Sequence, residues 1–267
     1  AYFSLQSSDA MSVMQRERRG ILFIDAQRKL QMYLRAFWNR EFYLRPTSGD
    51  YESKDGYKPF IEKGAVFVPD AYDDYEGMSG MEIYRATAAH AAAHIVYTTA
   101  AIQADNLNQL QRLVVAVFED ARVEERAIRD FPGLRQLWLS LHPLLDASAC
   151  PPGVDEFIHD LLCLSRGLLD PDYDPLEPRR RQWIERFHAE MAKRADDNQL
   201  AWDLGVTYCG QATQAIQARI SSATMQGLPV VYRDDNRFIW EFAELDWDAE
   251  GNEYTPASQR AARRNVG

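Results

Sequence analysis

Apolar positions recur at helical spacing through most of this chain, and short β-like runs interrupt them in two places. Over residues 13–38 the side chains Leu30, Tyr33, Leu34 and Phe37 fall three to four apart, which predicts a helix, and Pro46 with the Thr-Ser-Gly-Asp after it ends that segment. The same periodicity predicts helices over residues 81–101, 106–129, 154–169, 180–194 and 198–220. Between them lie Pro132-Gly133, Pro151-Pro152-Gly153 and the loop Asp170-Pro-Asp-Tyr-Asp-Pro. Residues 42–44 and 65–68 carry strand chemistry across a polar, Gly- and Lys-containing stretch, so a small hairpin or sheet edge is expected there. A second hairpin is expected from residues 230–232, a turn at Asp234-Asp-Asn and residues 238–242. No internal repeat is visible. The pattern predicts a mainly α, multi-helix domain over residues 1–245 with one or two small β-hairpins. A polar linker or tail follows over residues 246–267.

Composition narrows the function classes. The 267 residues suffice for a well-buried core. A net charge of −10 argues against nucleic acid as a partner, because contact with a phosphate backbone wants a basic face. Cys150, Cys163 and Cys209 are widely spaced and form no CxxC pair, so neither a disulfide framework nor a thiolate zinc site is indicated, and a reducing, cytoplasmic compartment fits. No apolar run reaches the roughly 18 residues of a membrane-spanning helix, so the protein is expected not to be membrane-embedded.

Several short patterns mimic sites. Gly20-Ile-Leu-Phe-Ile-Asp25 resembles the strand and aspartate that hold magnesium in P-loop ATPases, but no GxxxxGK[ST] accompanies it, and it reads as an apolar patch entering a helix. Asp146-Ala-Ser-Ala-Cys150 imitates a DxSxS metal loop with a cysteine in place of its last serine and Pro151-Pro152 behind it, so it reads as a decoy. Cys163 and Cys209 sit in apolar helical runs as small hydrophobes. His142, His159 and His188 are isolated and receive no role.

The chemistry concentrates in two helices. His90 and His94 lie four apart in an alanine-rich helix, so both imidazoles leave the same face. About one helix later, Phe118-Glu-Asp-Ala-Arg-Val-Glu-Glu offers carboxylates from a facing helix, and the pair has the layout of a zincin-like metal site. Two imidazoles and one carboxylate suit zinc, with water in the fourth place and another carboxylate orienting a histidine from outside. Glu119 is the first choice of ligand and Asp120 and Glu124 the next, since the phase between the helices is not set by sequence. The plainer alternative is a packed helix pair whose histidines bond to these acids without a metal. The zinc-peptidase motif places a general-base glutamate directly after its first histidine, where this chain has Ala91, so the site reads as able to bind and poorly equipped to hydrolyse.

Three blocks, Tyr84-Arg-Ala-Thr-Ala-Ala-His-Ala-Ala-Ala-His, Phe118-Glu-Asp-Ala-Arg-Val-Glu and Phe131-Pro-Gly-Leu-Arg-Gln-Leu-Trp-Leu-Ser-Leu-His-Pro143, resemble the region ahead of the von Willebrand factor A domain in NorD and CbbO-type proteins. Gly64-Ala-Val-Phe-Val-Pro69 is similar to the strand before that family's long helix, and the resemblance covers about residues 64–143. It implies a non-catalytic accessory or adaptor protein that works with a MoxR-class AAA+ ATPase hexamer to activate or mature a target enzyme, nitric oxide reductase or Rubisco. The chain departs from the family in carrying no von Willebrand factor A domain. Aromatics around Phe37, Trp38, Phe42 and Tyr43 could anchor a partner, although most are expected to fill the core. The competing expectation is a zinc-dependent metallopeptidase-like hydrolase using the HxxxH helix.

Overall fold

A computed structural model describes residues 20–47, 58–151, 155–211 and 228–241. The fold is mainly helical, as the periodicity predicts. Among the described residues the elements run β1 (Ile21–Leu22), α1 (Phe23–Trp38), β2 (Tyr43–Pro46), β3 (Phe60–Glu62), β4 (Ala65–Val68), β5 (Ala71–Tyr72), α2 (Gly80–Tyr97), β6 (Ile102–Gln103), α3 (Gln109–Asp130), α4 (Gly133–Leu141), α5 (Glu156–Leu169), α6 (Pro178–Arg194), α7 (Gln199–Gln211) and β7 (Trp240–Glu241). No helix among them is long and apolar enough to cross a membrane.

The two helices that matter most have well-defined starts. Ser79 caps α2 by accepting from the Glu82 amide at 3.4 Å while the Glu82 carboxylate accepts from the Ser79 amide at 2.8 Å. Asn108 and Gln111 make the same reciprocal exchange at the head of α3, both at 2.9 Å. Each box satisfies amides that the first turn leaves without intrahelical partners.

Helix α2 runs through the middle of the molecule, and its alanines explain how. Ile83, Ala86, Ala89, Ala93 and Tyr97 join an apolar cluster with α3 to α7, whereas Tyr84, Ala88, Ala91 and Ala92 join a second cluster with α1 and the small sheet. A helix buried on both flanks needs small side chains so that neighbours can approach, and the two histidines are then the bulky polar groups left on the remaining face. On the far side, α7 crosses α3 so closely that a Cβ on Gly205 would lie 2.7 Å from Val115 Cα and 2.8 Å from its amide nitrogen.

The β structure differs from expectation in two respects. Residues 43–46 and 65–68 do pair, but in parallel, and the hairpin is formed by β3 and β4 with Lys63 and Gly64 at positive φ in its turn. The second expected hairpin is absent. Residues 230–234 form no strand, Arg237–Ile239 is a 3-10 turn, and β7 instead pairs in parallel with β6. The reason is electrostatic, since Arg233 and Asp234 turn inward to buried partners, which removes this stretch from any ladder. Helix α4 was not expected, because Pro132-Gly133 reads as a break, yet these residues start the helix. Leu134, Trp138 and Leu141 then bury its inner face. Expectations for residues 13–19, 212–220 and the tail from 246 lie outside the described residues.

Candidate metal centre

Helices α2 and α3 meet antiparallel, with His94 opposite Asp120 and His90 opposite Glu124. Spacing of four within each helix sets two polar side chains in line on both sides of the seam. The third contributor is the segment 228–241, which lies across the seam and inserts Tyr232, Arg233 and Asp234, all buried. His90, His94, Asp120 and Asp234 thereby offer one donor atom each, all within 4.8 Å of one another.

The distances suit a single ion. His94 Nε2 lies 3.2 Å from Asp120 Oδ1 and 3.9 Å from Asp234 Oδ1, and His90 Nε2 lies 3.5 Å from Asp234 Oδ1 and 3.9 Å from Asp120 Oδ1. Donor atoms around a tetrahedral zinc ion sit roughly 3.3 to 3.4 Å apart, so the nearer pairs already match and the wider ones would have to draw in by up to about 1.4 Å to complete the shell.

Partners on the outer side of each ring, a hydrogen bond for His94 and an ion-pair contact for His90, leave Nε2 of both rings facing the cluster. Thr98 Oγ1 donates to Glu119 Oε1 at 2.7 Å, so it accepts from His94 Nδ1 at 3.3 Å, and the His94 Nε2 lone pair points at two carboxylates. His90 Nδ1 lies 3.1 Å from Glu124 Oε1, an acceptor only, which likewise leaves Nε2 facing the cluster. Either a metal ion or a proton on Nε2 reconciles each ring with the carboxylates it faces, and His94 Nε2 is within hydrogen-bond distance of Asp120 Oδ1 at 3.2 Å. Both histidines carry the outer carboxylate support usual for metal ligands, Glu124 directly and Glu119 through Thr98.

Charge leads to the same place. Asp120, Glu124 and Asp234 bring three negative charges, and Arg233 brings one positive charge. Arg233 grips Glu124 in a fork, Nε to Oε1 at 2.9 Å and Nη2 to Oε2 at 2.8 Å, while its Nη1 donates to Ser165 Oγ at 2.8 Å and lies 3.5 Å from Asp120 Oδ2. A divalent ion would bring the group to neutrality with both imidazoles uncharged. Neither carboxylate oxygen of Asp234 has a hydrogen-bond partner, although both are buried. A buried carboxylate without hydrogen bonds costs several kcal/mol unless positive charge offsets it, and the groups facing Asp234 are the Nε2 atoms of His90 and His94 at 3.5 and 3.9 Å.

The ionisation tendencies show how the protein holds these charges without metal. Burial opposes charge on His90, but Asp234, Glu124 and Asp120 prevail and raise it to about 9. Burial also disfavours the Glu124 and Asp234 carboxylates; Arg233 and His90 hold the first well below the usual range, and His90 and His94 lower the second. His142, one layer out, is pushed down to about 3 by burial and by Arg233, and its Nε2 stays free to accept from Ser165 Oγ at 3.0 Å.

Of the residues selected from sequence, His90, His94 and Asp120 come together as donors. Glu124 supports His90 and pairs with Arg233. Glu119, the first choice, lies outside the donor group in a two-pronged ion pair with Arg122, Nε to Oε2 and Nη2 to Oε1 both at 2.7 Å. Asp234 was missed. Its sequence context, three polar residues after an apolar run, reads as a turn, and no spacing links it to the histidines. Ala91, at the general-base position of the peptidase motif, is packed in the cluster with α1 and the sheet. The decoys stay apart from the cluster: Asp146 Oδ1 accepts from the Ser148 amide and hydroxyl in an exposed turn, and Cys163 and Cys209 are buried free thiols. His159 donates to or accepts from nothing in this cluster and contacts the Asp146 carbonyl at 3.1 Å.

Comparison with protein-family models, with curated proteins and with solved structures finds no match to this chain.

Proposed function

We propose that this protein is a zinc-binding accessory protein of the NorD/CbbO type, which works in the cytoplasm with a MoxR-class AAA+ ATPase ring to activate a target enzyme, nitric oxide reductase or Rubisco. The observation that carries the non-catalytic reading is the closed donor set. His90, His94, Asp120 and Asp234 are all buried, and together they fill four places, whereas a hydrolytic zinc keeps one for water. Alanine at position 91 removes the usual general base, and Glu124, the nearest spare carboxylate, is neutralised by Arg233. Two imidazoles with two carboxylates suit zinc better than the oxygen-only shells of magnesium or calcium. The ion would cross-link α2, α3 and the 228–241 segment and make a rigid body through which an ATPase ring could transmit force to a docked target. Partner and target rest on the resemblance over residues 64–143.

Two measurements test the parts separately. Elemental analysis of protein purified without chelator is expected to give about one zinc per chain in the wild type and much less in His94→Ala. A stoichiometry near zero would remove the metal. Co-purification with a MoxR-class hexamer, followed by a gain in target activity when both are supplied, tests the adaptor role. Zinc-dependent peptide cleavage that disappears in His90→Ala would establish the hydrolase instead.

A further inference from the structure

The segment 228–241 has two kinds of attachment, and they differ in what they need. One kind is self-sufficient. Leu228, Val230, Tyr232 and Ile239 are buried, Tyr232 stacks on Trp138 with ring centroids 6.2 Å apart, the Asp235 amide donates to the Pro59 carbonyl at 3.1 Å, and β7 pairs with β6. The other kind is the inward pair Arg233 and Asp234. Arg233 finds Glu124 and Ser165 ready for it. Asp234 brings a second charge into a fully buried position where neither of its oxygens is hydrogen-bonded. Its neighbours there are the Nε2 atoms of His90 and His94, 3.5 and 3.9 Å away, and another carboxylate, Asp120.

We infer that the 228–241 segment is a metal-dependent strap, in which Asp234 supplies the ligand that fastens it over the α2–α3 seam when a divalent ion is bound and opposes its docking when none is. This rests on the proposed metal centre and adds a regulatory consequence to it. Docking the strap without an ion brings Arg233 to Glu124, but it also buries Asp234 beside Asp120 with only the two imidazoles facing it. Docking with the ion turns that carboxylate into a bond. The strap also forms the roof of the site, since His90 faces Tyr232 with ring centroids 5.6 Å apart. Undocking therefore uncovers His90, Asp120, Glu124 and Trp138 together and offers a new surface to a partner. Metal occupancy would thus shift the balance between two faces, while Arg233 and the apolar contacts still favour the docked one in the absence of the ion.

Hydrogen–deuterium exchange of the full chain, in EDTA and then with one equivalent of zinc, reads this directly. Zinc uptake is measured in parallel by elemental analysis after desalting. Zinc is expected to slow exchange of amides in 230–241 at least tenfold, with little change in α6, which packs against α5 and α7. Stoichiometric zinc uptake with unchanged exchange in 230–241 would overturn the strap and leave the metal centre standing. Failure to take up zinc would overturn the metal centre and the strap with it. In Asp234→Ala, which keeps Arg233 on Glu124 and three donors for the ion, zinc is expected to bind more weakly, and saturating zinc is expected to leave exchange in 230–241 unaltered. Undiminished protection in that variant would overturn the role of Asp234.

Discussion

Replacing Glu124 by Gln tests whether the buried Arg233–Glu124 pair holds this region together. The substitution keeps the shape but removes the charge, and it puts an amide donor where four donors converge, the Arg233 fork at 2.8 and 2.9 Å, the Tyr232 hydroxyl at 3.1 Å and His90 Nδ1 at 3.1 Å. Glu124 and Arg233 are both buried, so water cannot replace the lost partner. Breaking a buried ion pair from one side costs about 3–5 kcal/mol, because the other charge is left without compensation. On a urea slope of about 3 kcal/mol/M, 4 kcal/mol moves the unfolding midpoint down by a little over 1 M. The assay is urea unfolding followed by circular dichroism in EDTA, which removes any contribution from metal. Glu124→Gln combined with Arg233→Met removes both charges, and the double variant is expected to lose less than the sum of the single losses by about 2 kcal/mol or more. The reasoning fails if Glu124→Gln loses under about 1 kcal/mol, or if the two losses simply add.

Four further outcomes are expected. Zinc at about a thousand times its dissociation constant should add about 4 kcal/mol to stability, a rise of about 10 °C in Tm by scanning fluorimetry, and an equal rise in His94→Ala would place the ion elsewhere. Thr98→Val breaks the link from His94 Nδ1 to Glu119, and zinc affinity measured by chelator competition should fall about tenfold to a hundredfold while the circular dichroism spectrum stays unchanged. In EDTA, the stabilisation from protonated His90, raised to about 9, is fully present below about pH 6.5 and is lost as pH rises through 9, so the urea midpoint should drop across that window; a flat profile there would contradict the charge assignment. Gly205→Ala drives a methyl into the Val115 backbone, and a loss of about 1–3 kcal/mol is expected in the same unfolding assay, against none if α7 can shift freely.

The long helices were legible because each obeys a local rule. Apolar spacing marked α2, α3, α5 and α6, and the Ser79/Glu82 and Asn108/Gln111 boxes sit at the starts of two of them. Helix α4 was hidden by the habit of reading Pro-Gly as an end, although Pro is well suited to a helix's first turn. The metal centre was half legible. The i,i+4 spacing in α2 located His90 and His94 on one face, but the choice among Glu119, Asp120 and Glu124 depends on how α3 is rotated about its axis, and packing determines that. Glu119 is instead held by Arg122, one turn along the same helix, whose guanidinium also donates to the Ala195 and Tyr97 carbonyls at 2.7 and 2.9 Å. Asp234 was out of reach because its relation to the histidines is purely tertiary. The second hairpin failed for the same reason, since Arg233 and Asp234 found better partners across the fold than a neighbouring strand could offer.

Arg233 and Glu124 stand 109 positions apart along the chain. On a ribosome, α2 and α3 therefore emerge and can pair long before the residues that roof them exist. During that interval three donors lie open at the surface of a nascent protein, able to capture an ion from whatever buffers the surrounding pool. Closure comes late and across a large loop, so for the proposed centre the order of synthesis would make loading the earlier event and sealing the later one.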